Sequence, residues 1–149
     1  MFEKDVRKGC SERMFGKDVR EKMKKIYSFE DLEIWVAARK LANKVYDIIE
    51  QGRIKKDLSL NGQLKRAVIS PMSNIAEGFL RGGNKEFIQY LFIARGSAGE
   101  VKSQLYFARD RKYINKEQFD DCDAVIGELL NKIDSLIKYL KNTGKKGIK

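Results

Sequence analysis

The residues best placed for chemistry lie in "SNIAEGFLRGGNKEF", residues 73–87, where Gly78, Gly82 and Gly83 are interspersed with Glu77, Arg81 and Lys85. A glycine loop between cations can cradle phosphate. A P-loop, however, needs a strand before it and a Gly-Lys-Ser/Thr ending, and neither is present. The glycines instead follow an apolar helical segment. There Gly82 or Gly83 supplies the left-handed residue of a helix C-cap, and Asn84 serves as N-cap of the next helix. The stretch reads as a turn. One further use stays open, because a helix N-terminus beside Arg81 and Lys85 can hold a backbone phosphate.

Glu77 and Glu100 are the carboxylates that a general acid–base pair would use. Glu77 precedes Arg81 by four residues, the favourable order for a helical ion pair, and Glu100 adjoins an apolar seam. The chain contains no histidine. That removes Ser-His-Asp and Cys-His catalysis, most zinc sites, and the Glu-x-x-His pairs of di-iron bundles. Asn74, Glu77 and Glu100 are therefore given structural roles, and the chain is expected to be no enzyme, with no metal and no cofactor. Cys10 lies in a charged stretch and Cys122 on an apolar helical stripe, so no disulfide framework is implied and a cytoplasmic setting is expected. The opening residues contain no apolar signal-peptide core, and the longest apolar run, "YLFIA", is too short to span a bilayer.

The net charge is +10. Residues 1–28 hold nine Lys/Arg against five Asp/Glu, residues 142–149 add three lysines, and residues 51–112 hold twelve basic against five acidic groups. Segments 29–50 and 113–141 are each acidic by two. A polyanion partner fits this pattern, as does a basic surface facing an acidic neighbour. Arg95, Lys102 and Arg109 share one heptad position, in a row stepping about 10 Å at a time. Two readings stand: a nucleic-acid track, or an ordinary surface that is either a solvated face or ion-paired with the acidic fourth helix of this or a neighbouring subunit (Glu117, Asp120, Asp121, Asp123). Neither an RNA-recognition aromatic motif nor a zinc knuckle is present, so sequence-specific readout is not supported.

Four amphipathic segments must position these groups. In the first, Ser28 and Asp31 form a capping signal, and Trp35, Ala38, Ala42, Val45 and Ile49 recur at helical spacing until Gly52. The second runs from about Asp57 to Leu80 with Leu60, Leu64, Val68, Met72, Ile75 and Phe79 on one face. Pro71 inside it predicts a kink, with the helix continuing because the apolar period is unbroken. The third runs from Asn84 to about Lys112 along Phe87, Leu91, Ala94, Ala98, Val101, Leu105 and Ala108. The fourth begins at Asn115, with Gln118 at the capping-box position, and carries Phe119, Cys122, Ile126, Leu129, Ile133, Leu136 and Leu140 up to a stop at Gly144. No segment alternates with a period of two. The economical fold is all-α, an antiparallel up-and-down four-helix bundle over residues 28–141. It is flanked by a charged, disordered or loosely helical extension (1–27, with the near-repeat MFEKDVR/MFGKDVR) and a basic tail (142–149).

In "EFIQYLFIA", Phe87, Ile88, Tyr90, Leu91, Phe92 and Ile93 nearly encircle the third helix, more than one core stripe can bury. Gly96 and Gly99 follow, and small residues allow close helix approach. An interface between copies built on Ile88, Tyr90, Phe92, Ile93, Gly96 and Gly99 explains both features; a thick core in a distorted monomer is the alternative.

"FEDLEIW", "SNIAEGF", "NKEFIQYLFIARGSAGEVKSQL" and "YINKEQFD" occur in an order that resembles the four-helix proteins encoded in intervening sequences of bacterial 23S ribosomal RNA genes. The resemblance covers roughly residues 25–141, although Met72 here separates Pro71 from the Ser-Asn pair that directly follows proline in the common form. It implies a homopentameric ring. It also implies kinship with the accessory variability proteins of diversity-generating retroelements, basic pentamers that bind nucleic acid and a reverse transcriptase. The function expected is thus a non-enzymatic oligomer binding nucleic acid, RNA rather than DNA, through Arg81, Lys85, Arg95, Lys102 and Arg109. The alternative is a protein-interaction adaptor such as an accessory subunit of a reverse transcriptase. No membrane partner is expected.

Overall fold

The computed structural model describes residues 26–146; the MFEKDVR/MFGKDVR segments and Cys10 lie outside the described residues. The described chain is helical: α1 spans Glu33–Gln51, α2 Leu58–Leu80, α3 Asn84–Asp110 and α4 Lys116–Lys146, with 3-10 turns at Phe29–Asp31 and Arg53–Lys56. Helix α1 packs on α2 and α4, α2 packs on α3, and α3 on α4, a neighbour order consistent with an up-and-down bundle. The core takes the stripes the periodicity marks. Every apolar residue of the α3 seam from Phe87 to Ala108 is buried, as are Phe119, Cys122, Ile126, Leu129, Ile133, Leu136 and Leu140 of α4. Met72 is only partly buried against this core.

Helix ends follow from the residues at them, with three departures from the expected boundaries. The Asp31 carboxylate accepts from the Tyr27 N–H at 2.9 Å and the Ser28 N–H at 3.2 Å, but the turn it caps is the 3-10 turn. Helix α1 starts afterwards, because Leu32, 2% exposed, stands in an extended conformation between the two. At the α2–α3 turn Gly82 is the left-handed residue, with φ of 81°. Gly83 is then extended and becomes the N-cap of α3; Asn84 is the first helical residue, and no side chain caps this helix. Finally, α4 passes through Gly144 to Lys146. A glycine weakens a helix by only about 1 kcal/mol and does not by itself end one.

Two further helices carry side-chain caps, the second of them at its predicted signal. Asp57 Oδ1 accepts from the Leu60 N–H at 3.1 Å at the start of α2. Asn115 Oδ1 accepts from the Gln118 N–H at 2.8 Å while Gln118 Oε1 accepts from the Asn115 N–H at 2.9 Å, a reciprocal capping box. Helix α2 runs without a break across the buried Pro71, although the ring removes the donor that would meet the Ala67 carbonyl. Beyond the proline, Asn74 Nδ2 donates to the Ser70 carbonyl at 2.9 Å and to its Oγ at 3.0 Å.

Helix α3 ends in a Schellman turn: the Tyr113 N–H reaches the Ala108 carbonyl at 2.9 Å and the Lys112 N–H reaches that of Arg109 at 2.8 Å. The left-handed residue here is Lys112, with φ of 60°. A side chain in that conformation costs about 1–2 kcal/mol, so Lys112→Gly should raise the free energy of urea unfolding by roughly 1 kcal/mol. The opposite response is expected at Gly78. A Cβ there would stand 2.6 Å from Tyr90 Cβ and 2.9 Å from Phe87 Cδ2, so α2 and α3 meet at van der Waals limits. Gly78→Ala should destabilise by roughly 1–3 kcal/mol; an unchanged urea midpoint would contradict this contact.

Candidate nucleic-acid interface

Helix α2 delivers Glu77 and Arg81 one turn apart at its end, and α3 brings Tyr90 across from them. Arg81 Nη2 lies 2.9 Å from Glu77 Oε1, the Tyr90 hydroxyl donates to that oxygen at 3.0 Å, and the guanidinium sits 5.5 Å above the Tyr90 ring. Hydrogen bonds from Arg81 and then Tyr90 hold the Glu77 carboxyl below its ordinary 4.5, and its hydrogen bond pushes the Arg81 and Tyr90 values up. A carboxylate held ionised in this way is a poor proton donor at neutral pH. Glu100 accepts a hydrogen bond from Gln104 at 3.2 Å and lines an open groove of about 440 Å³ with Gln63, Arg66, Ser70 and Ser97. Ten residues of helix, about 15 Å, separate it from Tyr90. The two carboxylates are therefore not brought together.

The row along α3 lies on the seam with α4. Arg95 Nε is 2.7 Å from Asp134 Oδ1 and Lys102 Nζ is 2.9 Å from Asp123 Oδ1, while the Arg109 guanidinium covers the Phe119 ring at 5.5 Å. The hydrogen bond to Asp123 raises the Lys102 value. Of the two readings the sequence left open, the geometry matches ion pairing with α4 of the same chain; Asp123 was among the anticipated partners and Asp134 was not. The first pair is about half exposed and the second more than a third, so solvent screens both and their contribution to stability is small.

Other cations make no ion pair among the described residues. Lys85 is one, exposed at the start of α3. A further group comes from two connections far apart in sequence. Arg53 stacks over the Tyr113 ring at 5.6 Å, and the Tyr113 hydroxyl donates to Asp57 Oδ2 at 3.2 Å. These contacts bring the turn holding Arg53 and Lys56 beside the one holding Arg111 and Lys112. The sequence reading missed this group because it followed helical faces. The signal was present in "RIKK" and "RDRK", basic runs at both turns.

The apolar collar divides. Ile88 and Tyr90 are half-buried within the chain, whereas Phe92 is 44% and Ile93 50% exposed. Lys141 Nζ lies 5.0 Å over the Phe92 ring. A Cβ on Gly96 or Gly99 would meet nothing within 4 Å, so packing inside the chain does not require either glycine. Tyr106 and Phe107, exposed lower on α3, escaped the sequence reading. The Cys122 thiol is buried and pushed up to about 11, which leaves it a poor nucleophile. Among the described residues no three His, Cys, Asp or Glu side chains group as a metal site, and no helix is long and apolar enough to cross a membrane.

Residues 30–135 match the family described as 23S rRNA-intervening sequence protein, and the chain belongs to that family. No curated protein matches the chain. The ion pairs of this surface set its acid response. Glu50, Glu77 and Glu128 all titrate below 4.5 in the folded chain, through hydrogen bonds from Lys65 and Lys55, from Arg81 and Tyr90, and from Lys132. A lowered carboxylate contributes stability that is complete above its unfolded value and is lost as pH falls through the folded one. The urea midpoint should therefore hold steady down to about pH 5 and fall below it. Glu77→Gln should make that fall shallower, measured by tryptophan fluorescence across pH 3–7.

Proposed function

We propose that the chain is a non-enzymatic, oligomeric nucleic-acid-binding protein of the cytoplasm that holds RNA through its phosphates. The observation that carries this reading is the set of surface cations without carboxylate partners among the described residues, on a chain of net charge +10. Paired cations such as Arg95 and Lys102 must give up a carboxylate to take a phosphate; Lys85 and the cations of the two turns need not.

Assembly is argued from the outer face of α3. Two exposed glycines within a helix cost about 1 kcal/mol each relative to alanine. With nothing from their own chain near them, close approach of another helix explains why they are there. Exposed Phe92 and Ile93 extend the same face. The occupant we propose is a second copy of the chain, closing into the pentameric ring that the resemblance implies.

Light scattering of the full chain should give a mass of about five chains. Gly96→Leu should keep or raise the helicity of the single chain yet abolish assembly, and Phe92→Glu should do the same by burying an unpaired charge. A wild-type monomer at micromolar concentration would overturn the assembly. Fluorescence anisotropy with a labelled RNA should show log affinity falling linearly with log salt. No RNA binding at low salt, with retention of an acidic polypeptide, would replace this reading by that of an adaptor for an acidic protein.

A further inference from the structure

The two connections that meet at one end of the bundle carry six cations, Arg53, Lys55, Lys56, Arg111, Lys112 and Lys116, against three carboxylates, Asp57, Asp110 and Glu117. Lys55 pairs with Glu50 and Lys116 with Asp120. Arg53, Lys56, Arg111 and Lys112 have no such partner among the described residues. Asp57 keeps its charge while accepting from the Leu60 N–H and the Tyr113 hydroxyl, and neither it nor Asp110 nor Glu117 makes an ion pair with these four, so the cations outnumber the carboxylates here. Between the turns lies an open pocket of about 240 Å³ lined by Arg53, Lys56, Asp57 and Tyr113.

Helix stability does not account for the whole group. Arg111 and Lys112 suit the negative end of α3, but Lys55 and Lys56 stand directly before the positive N-terminus of α2, where cations are unfavourable. Lys112 is also held at a left-handed position that glycine would occupy without strain. An anion seated between the turns relieves the repulsion among these cations. Phe107, 51% exposed, lies one helical turn before Arg111 on the same face of α3. An open aromatic ring beside a cluster of cations is the pairing that single-stranded nucleic acid uses, phosphates on the cations and a base on the ring.

We infer that Arg53, Lys56, Arg111 and Lys112 form a phosphate clamp for single-stranded RNA, with Phe107 as the platform for an unstacked base. The clamp rests on the nucleic-acid reading above and gives it a location. It differs from the α3 row, whose first two cations are already committed to Asp134 and Asp123.

The test uses the full chain and a fluorescein-labelled oligouridylate about twenty nucleotides long, titrated at several salt concentrations. Replacing all four cations with glutamine should reduce the slope of log affinity against log salt by about two to three, at about 0.7 per lost single-strand contact. Arg95→Gln with Lys102→Gln should leave the slope nearly unchanged. Phe107→Ala should lower affinity about five- to a hundredfold with the slope retained, and circular dichroism should show every variant folded. Wild-type slope and affinity in the folded four-cation variant would overturn the clamp while RNA binding itself stands. Absence of binding by wild type at low salt would overturn both. Loss of assembly mass in Phe107→Ala would move that residue to the copy interface and overturn its stacking role.

Discussion

The close approach of α2 and α3 at Gly78 is the contact on which the arrangement of this surface depends. With no side chain at that position, Tyr90 packs directly against the α2 backbone. Its hydroxyl then reaches Glu77, which also holds Arg81, and one helix pair thereby ties down the turn between them. Further along the same pair, Ser70 and Ser97 exchange a hydrogen bond at 2.7 Å. Fixing the rotation of α3 against α2 also fixes what α3 turns outward. Phe92, Gly96, Gly99 and Phe107 face away from the core because Leu91, Ala94, Ala98 and Leu105 face into it.

Charge is sorted on the bundle by geometry rather than by abundance. Along the α3–α4 seam, acidic residues of α4 lie opposite basic residues of α3 at a helix-packing distance, and the charges meet. At the turn end, Asp57 caps α2 and accepts from a tyrosine hydroxyl, Glu50 and Asp120 hold Lys55 and Lys116, and four cations make no ion pair among the described residues. A polyanion gains most where it displaces water and counterions rather than a carboxylate already in contact. The basic surface free of ion pairs among the described residues is thus smaller than the net charge suggests, and four of its cations gather at the two connections.

Much of the fold was legible in the sequence, because buried stripes leave a period that survives without coordinates. The seven-residue seams of α3 and α4 and the Asn115–Gln118 box are examples. Helix ends were less legible. Asn84 resembles an N-cap, but the left-handed Gly82 shifts the cap to Gly83, a matter of backbone dihedrals that residue type alone does not fix. The family match over residues 30–135 was anticipated by short motifs in order. The α3 row was legible as two alternatives, and only the neighbour relation of α3 and α4 shows which charges meet. The four cations of the turns were invisible as a group, since Arg53 and Tyr113 become neighbours only when both hairpins close.

The measurement that tests the central claim most directly is lysine acetylation footprinting of the full chain, with and without oligouridylate, read by mass spectrometry. If unpartnered cations at the turns take the phosphates, RNA should protect Lys56 and Lys112 and leave Lys102, held by Asp123, unchanged. Protection of Lys102 with Lys56 and Lys112 still reactive would contradict the account, as would RNA binding that protects none of the three.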